Sequence, residues 1–285
     1  MIKTSQQLKA LVRNMSKGDS TRAQIILRNY AMERFLERVS LSPYRDNLIL
    51  KGGTLVAAIV GLVNRSTMDL DATLKNTALS VENARRIIDE ITSVQIEDGM
   101  RFEVRSVAFI MDDAEYPGIR ATLDSTLETM HIPFKIDFST GDVITPQEIS
   151  YSFKLLFEDR SFSILAYNLE TVLAEKLETL LSRGSASTRM RDFYDIYVLA
   201  LTQMHNIDSV VLSNAFNNTT KRRGSVAVVE ETETILNEIQ SSAEMVSLWE
   251  NYQRKFEYAI DVSWENVMAA VRQLCHVIMG SGLTF

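Results

Sequence analysis

A change in hydrophobic period near residue 165 divides this 285-residue chain into two kinds of sequence. Before it, apolar and polar residues alternate in several short runs, as in half-buried strands. After it, the apolar spacing is helical almost to the end. Side chains that alternate across a strand cannot line one face of a helix, so the two regions require different architectures. The expected fold class is α+β: an α/β region with N-terminal helices over residues 1–160, then an all-helical domain over residues 161–285. Two lobes with a cleft between them suit this organisation.

The spacing of Ile25, Ile26, Tyr30, Met32, Phe35 and Leu36 predicts a helical start. Asn47–Lys51 reads as a strand stopped by Gly52-Gly53, and Thr54 opens a buried helix through Val63. Arg65–Leu74 reads as a strand, and Ser80–Val94 as a helix with Ser80 as its N-cap. Further strands are predicted at Arg101–Met111, Ile119–Leu127, His131–Phe138 and Ile149–Phe157, with turns at Tyr116-Pro-Gly118 and Thr140-Gly-Asp142. Helices are expected at Asn168–Ser182, Met190–Met204, Ile207–Asn217, Val229–Ile239, Ala243–Ala259 and Ser263–Ile278.

Composition narrows the class. Hydrophobic residues at 46% supply a core and exclude a disordered chain. The single cysteine, Cys275, excludes an internal disulfide framework and a Cys-rich zinc site, and suits a reducing cytosol. No apolar run reaches membrane-spanning length, and the start lacks the apolar core of a signal peptide, so a cytoplasmic location without a membrane partner is expected. A net charge of −7 argues against a broad electrostatic grip on nucleic acid, though not against a local basic groove.

Polar residues stand out where the periodicity predicts apolar ones. On a strand at Arg65–Leu74, Arg65, Thr67, Asp69, Asp71 and Thr73 share one face. Two adjacent carboxylates repel unless a cation bridges them. Oxygen-only ligands suit Mg²⁺ or Mn²⁺ and a phosphate-bearing substrate; a wet strand face with ordinary acids is the other reading. In His131–Phe138, Lys135 and Asp137 share a face, so Asp137 becomes a third carboxylate if this strand lies beside the first. Gly52-Gly53-Thr54, between a strand and a helix, offers backbone N–H groups to an anion or simply makes a tight turn. The absence of GxxxxGK[ST] gives no support to a Walker-type ATPase.

Lys176 lies inside the apolar stripe of Leu169, Val172, Leu173, Leu177 and Leu180, where it requires a partner or an anion unless it snorkels. Asp192 flanks the apolar stripe of the next helix, and Asp195 lies further round. Cys275, His131, His205 and His276 form no nucleophile–base set and read as structural or surface residues.

Lys51-Gly-Gly-Thr54, Arg65-Ser-Thr-Met-Asp-Leu-Asp71, Lys135-Ile-Asp137, Leu173-Ala-Glu-Lys176 and Arg191-Asp-Phe-Tyr-Asp195 occur in that order. Together they resemble the AbiEii/AbiGii nucleotidyltransferase toxin family, within the DNA polymerase β-type nucleotidyltransferase superfamily. The resemblance implies a nucleotidyltransferase palm followed by a helical domain, with NTP and Mg²⁺ (or Mn²⁺) in the cleft. It implies a toxin of a toxin–antitoxin or abortive-infection system that transfers a nucleotide to RNA, the tRNA 3′ end above all, with an antitoxin encoded nearby.

Carried over by motif, Asp69 and Asp71 bind metal, with Asp137 as a third ligand. Gly52, Gly53, Thr54, Arg65, Thr67 and Lys176 hold nucleotide or phosphate, and Lys176 with Asp192 completes the catalytic set. The acceptor calls for a basic track, for which Lys221-Arg222-Arg223 with Arg189 and Arg191 is the candidate. Two other readings stay open: a nucleotide-binding regulatory protein without transfer, and transfer to a protein hydroxyl.

Overall fold

In the computed structural model, which describes residues 1–110 and 118–280, the alternating segments join one mixed seven-stranded sheet. Its strands are β1 Leu48–Lys51, β2 Asp69–Leu74, β3 Met100–Ile110, β4 Gly118–Leu127, β5 Met130–Ser139, β6 Ile149–Lys154 and β7 Ser161–Ala166, in the order β3-β4-β5-β2-β1-β7-β6. β2 runs parallel to β5 and antiparallel to β1, which is parallel to β7. The alternation is regular in β4 and β5. Ile119, Ala121, Leu123, Ser125 and Leu127 are buried with Ile132, Phe134, Ile136 and Phe138, and the residues between them face the other way. Met111 and the turn residues Tyr116 and Pro117 lie outside the described residues.

Four helices accompany the strands: α1 Ser5–Ser16, α2 Ser20–Leu41, α3 Gly52–Val60 and α4 Val81–Thr92. Thr4, Asp19 and Ser80 cap α1, α2 and α4 by accepting backbone N–H groups of the first turn. The helical start expected from the sequence is thus two helices, parted at Lys17, which adopts a left-handed conformation, and Gly18.

The C-terminal region is helical: α5 Leu169–Arg183, α6 Met190–Gln203, α7 Ser209–Arg223, α8 Ala227–Glu230, α9 Thr232–Ser241, α10 Ala243–Lys255 and α11 Trp264–Gly280. The chain falls into two units that are not contiguous halves. The first holds Met1–Leu62, Ser66–Gly141 and Ile149–Ala166; the second holds Val63–Arg65, Asp142–Glu148 and Tyr167–Phe285. Strand β7 therefore belongs to the sheet unit, whereas the sequence reading begins the helical domain at residue 161.

Helix α2 carries charge on its buried side. Glu33, Arg34, Glu37 and Arg38 are all buried. Arg38 holds Asp98 through two bonds of 2.8 Å, Arg34 lies 2.8 Å from Glu37, and Arg160 pairs with Glu37 and Glu158. Glu33 accepts the Leu156 N–H at 2.8 Å. Burial pushes its pKa up to about 8, against the pull of Arg34 and that N–H, from an ordinary 4.5.

Between those values the folded chain holds a proton that the unfolded chain has released. This contribution is full below 4.5 and is lost as pH rises towards 8. Glu33→Gln should remove the loss. Its stability relative to wild type should rise across that window by up to about 1.4 kcal/mol per pH unit, read by urea unfolding over the pH series. A difference independent of pH would refute the assignment.

Candidate active site

The site in the sheet unit is built where β1 runs directly into α3. Gly52 has φ +60° and faces Asp71 so closely that an added Cβ would lie 2.2 Å from the Asp71 carboxylate. A side chain at this position would displace the acid. The Gly53 N–H donates to Asp71 Oδ2 at 3.0 Å. The glycine pair read as a turn is thus the first turn of α3 and a seat for a carboxylate. The buried hydroxyls of Thr54 and Thr67 both donate to the Asp69 carbonyl, at 2.7 and 3.2 Å. In place of the phosphate contacts expected of them, they fix the start of β2.

On β2, Leu70 and Ala72 are buried beneath the sheet and Asp69 and Asp71 stand half-buried on its other face. Register extends that face sideways. Asp69 pairs with Lys135, and Asp71 lies in a row with Lys51, Asp137 and Arg120. Asp137 does lie beside Asp71, as expected, but both its oxygens accept from Arg120, at 2.8 and 2.7 Å. This strand-to-strand bidentate pair gives Asp137 a cation of its own in place of the shared metal. Nothing in the sequence singles out Arg120. The alternation of β4 places it on this face, but only the β4–β5 register reveals its partner.

Among the described residues no group of three or more His, Cys, Asp or Glu is arranged to hold a metal ion. Asp69 and Asp71 nevertheless offer two hard, half-buried oxygen donors side by side. That number fits Mg²⁺, which ordinarily takes one or two protein carboxylates and completes its shell with water and substrate phosphates.

A second cluster lies in the helical unit. The Lys176 ammonium on α5 sits 2.6 Å from Asp192 and 2.8 Å from Asp195, both on α6. Asp195, fully buried, also receives Arg65 through Nε at 2.8 Å and Nη2 at 3.0 Å. Arg189 reaches Asp192 at 3.2 Å. Arg65 therefore lies outside the strand that sequence alternation extends back to it. Its guanidinium is a buried structural partner in place of the phosphate ligand expected.

Burial pushes the Asp195 carboxyl up, yet Arg65 and Lys176 outweigh it and hold it at about 2. Burial pulls the Lys176 ammonium down, yet Asp192 and Asp195 keep it above the ordinary lysine value. Three cations face two carboxylates, so the cluster is net positive. Asp195, absent from the expected catalytic set, is its centre; its partner Arg65 lies 130 residues away, beyond any helical period.

The expected basic track is divided. Arg223 is tied to Glu178 and lies 3.6 Å from Glu175, whereas Lys221 and Arg222 are exposed. Cys275 is buried, which pushes its thiol up to about 12, and exposed His131 pairs with Asp124 at 2.9 Å.

The sheet with its paired acids and the helical C-terminal region define a nucleotidyltransferase fold. MenT4, a nucleotidyltransferase toxin from Mycobacterium tuberculosis H37Rv, shares it at TM-score 0.59 and 17% identity, over 95% of this chain and 98% of that one. JHP933 from Helicobacter pylori shares it at TM-score 0.50 and 13% identity, over 90% and 94% of the two chains. The chain belongs to the AbiEii family, the nucleotidyl transferase AbiEii toxins of type IV toxin–antitoxin systems, matched over residues 34–270. No curated protein matches it in sequence.

Proposed function

We propose that the protein transfers a nucleotide from an NTP to an RNA acceptor, the tRNA 3′ end, as the toxic half of a toxin–antitoxin pair. The observation that carries this reading is the Asp69–Asp71 pair, with Asp71 seated on the Gly53 N–H and Gly52 giving it room. Asp69 and Asp71 would hold Mg²⁺ or Mn²⁺, with Asp137 available as a third ligand only on release from Arg120. When bound, such an ion neutralises phosphate charge and lowers the pKa of an attacking hydroxyl.

The protein's own groups do the rest. Gly52 and Gly53 let the backbone and the start of α3 approach an anion. Lys176, kept protonated, with the net positive cluster around it, offsets charge on the departing pyrophosphate. Asp192 holds that ammonium in place. Transfer to RNA suits a cytoplasmic protein, and among the described residues no helix is long and apolar enough to cross a membrane. An antitoxin partner follows from the type IV system to which the family belongs.

The test is incubation of the protein with total RNA, Mg²⁺ and each labelled NTP in turn. Label in tRNA is expected. Label in protein would favour transfer to a protein hydroxyl, and NTP binding with no label anywhere would favour a regulatory binder; either overturns the proposal.

A further inference from the structure

In the helical unit, α10 ends at Lys255 and a short turn, Glu257–Ala259, brings Phe256 and Tyr258 together. Their rings stack at 5.4 Å and 23°. Both are half-buried, so each rests on the unit while part of its surface meets solvent. Beneath them, Phe256 packs on Tyr252 at 4.6 Å and Tyr258 on Tyr194 at 4.8 Å, and Tyr252 stacks on Trp249.

Polar contacts pin this arrangement. The Tyr252 and Tyr258 hydroxyls lie 2.9 Å apart, and Tyr194 OH donates to the carbonyls of Asn64 and Tyr258. Gln253 Nε2 donates to the carbonyls of Ala259, Ile260 and Val262.

Two cations flank the Phe256 ring, the Arg191 guanidinium at 5.5 Å and the Lys255 ammonium at 5.6 Å. Neither forms an ion pair with a described carboxylate, and Lys255 is exposed. Arg191 stands on the same helix as Asp192 and Asp195, one and four residues before them, so α6 ties this surface to the Lys176 cluster.

Clustered aromatic rings, partly exposed to solvent and flanked by cations that no described carboxylate pairs, match one ligand chemistry: stacked bases joined by phosphates. Such platforms bind unpaired nucleic acid because every base has a π face and every linkage a negative charge. Duplex RNA keeps its bases stacked on each other and offers none to an aromatic ring. We infer that Phe256 and Tyr258, with Arg191 and Lys255, form a docking platform for the unpaired nucleotides of the RNA acceptor. The inference rests on the reading that the acceptor is RNA. It places the contact away from the Lys221–Arg223 segment favoured by charge alone.

The test is fluorescence anisotropy of the full chain with a short, labelled single-stranded oligoribonucleotide, without NTP, so that binding is read apart from transfer. Phe256→Leu keeps the apolar bulk and removes the π face; it should weaken binding about tenfold, within the range for one missing stack. Phe256→Tyr should restore wild-type affinity, which a merely space-filling role would not require. Arg191→Gln with Lys255→Gln should weaken binding and flatten the plot of log affinity against log salt by about 0.7 for each phosphate no longer neutralised. Melting temperatures establish that each variant is folded.

Wild-type binding by folded Phe256→Leu and by the double variant overturns the inference, even where label enters tRNA. Equal binding of duplex and single strand by the wild type overturns it as well. If the platform variants lose oligonucleotide binding but the wild type labels only protein, the acceptor reading of the function fails while the binding surface stands.

Discussion

Asp71→Asn should cut nucleotide transfer by on the order of 10²–10³-fold, the range seen when one preorganised electrostatic interaction is removed from a reacting centre. The substitution changes little else. Asparagine keeps the shape of the side chain and an oxygen to accept the Gly53 N–H now 3.0 Å from Asp71. Gly52 still leaves it room. What disappears is one of two negative charges placed side by side on β2. The check is label incorporation into RNA at saturating NTP, with a thermal melt of the same preparation. The melt should stay close to wild type, and the expected loss therefore belongs to chemistry. Transfer within a few-fold of wild type would remove Asp71 from the reacting centre.

For Asp195→Ala the expected loss is in stability, about 3–5 kcal/mol, the cost of leaving a buried charge without its partner. Two cations are affected: Arg65, only 2% exposed, loses its bonds to Asp195 of 2.8 and 3.0 Å, and Lys176 loses a partner at 2.8 Å. Lys176 keeps Asp192, so Arg65 carries most of the cost. Urea unfolding of the full chain at neutral pH measures it; a change below about 1 kcal/mol, as for an exposed pair, would contradict the burial described. The same carboxylate sets an acid limit. With its folded pKa held at about 2 and its ordinary value at 3.8, its contribution is present above 3.8 and is lost as pH falls towards 2. In the variant that acid limb should be shallower.

What the sequence discloses and what it hides divide along one line: local period is legible and distant pairing is not. The alternation of β4 and β5, the acids of β2 and the glycines before α3 are read directly, because each depends on neighbours in the chain. Lys176 stands out for the same reason, a charge inside an apolar helical stripe. Which partners it takes is hidden, because Asp192 and Asp195 come from another helix. Arg65 is misplaced by the sequence reading because alternation continues past the true start of β2 at Asp69. Arg120 and, on α2, Glu33, Glu37 and Arg38 are hidden because each takes a partner between 17 and 123 residues away. Strand β7, six residues with three serine or alanine positions, has too little apolar contrast to announce itself, and only its pairing with β1 and β6 defines it.

The discontinuous division of the chain has a practical side. Residues 63–65 and 142–148 belong to the helical unit although they are threaded between stretches of sheet. A cut after residue 166, the obvious place to excise a C-terminal fragment, leaves Arg65 on one piece and Asp195 on the other. The excised helices then keep Lys176 on Asp195 but lose the Arg65 guanidinium that completes the clasp in the intact polypeptide. Any dissection into separately produced halves must graft those short insertions onto the helical piece or accept an unstable product.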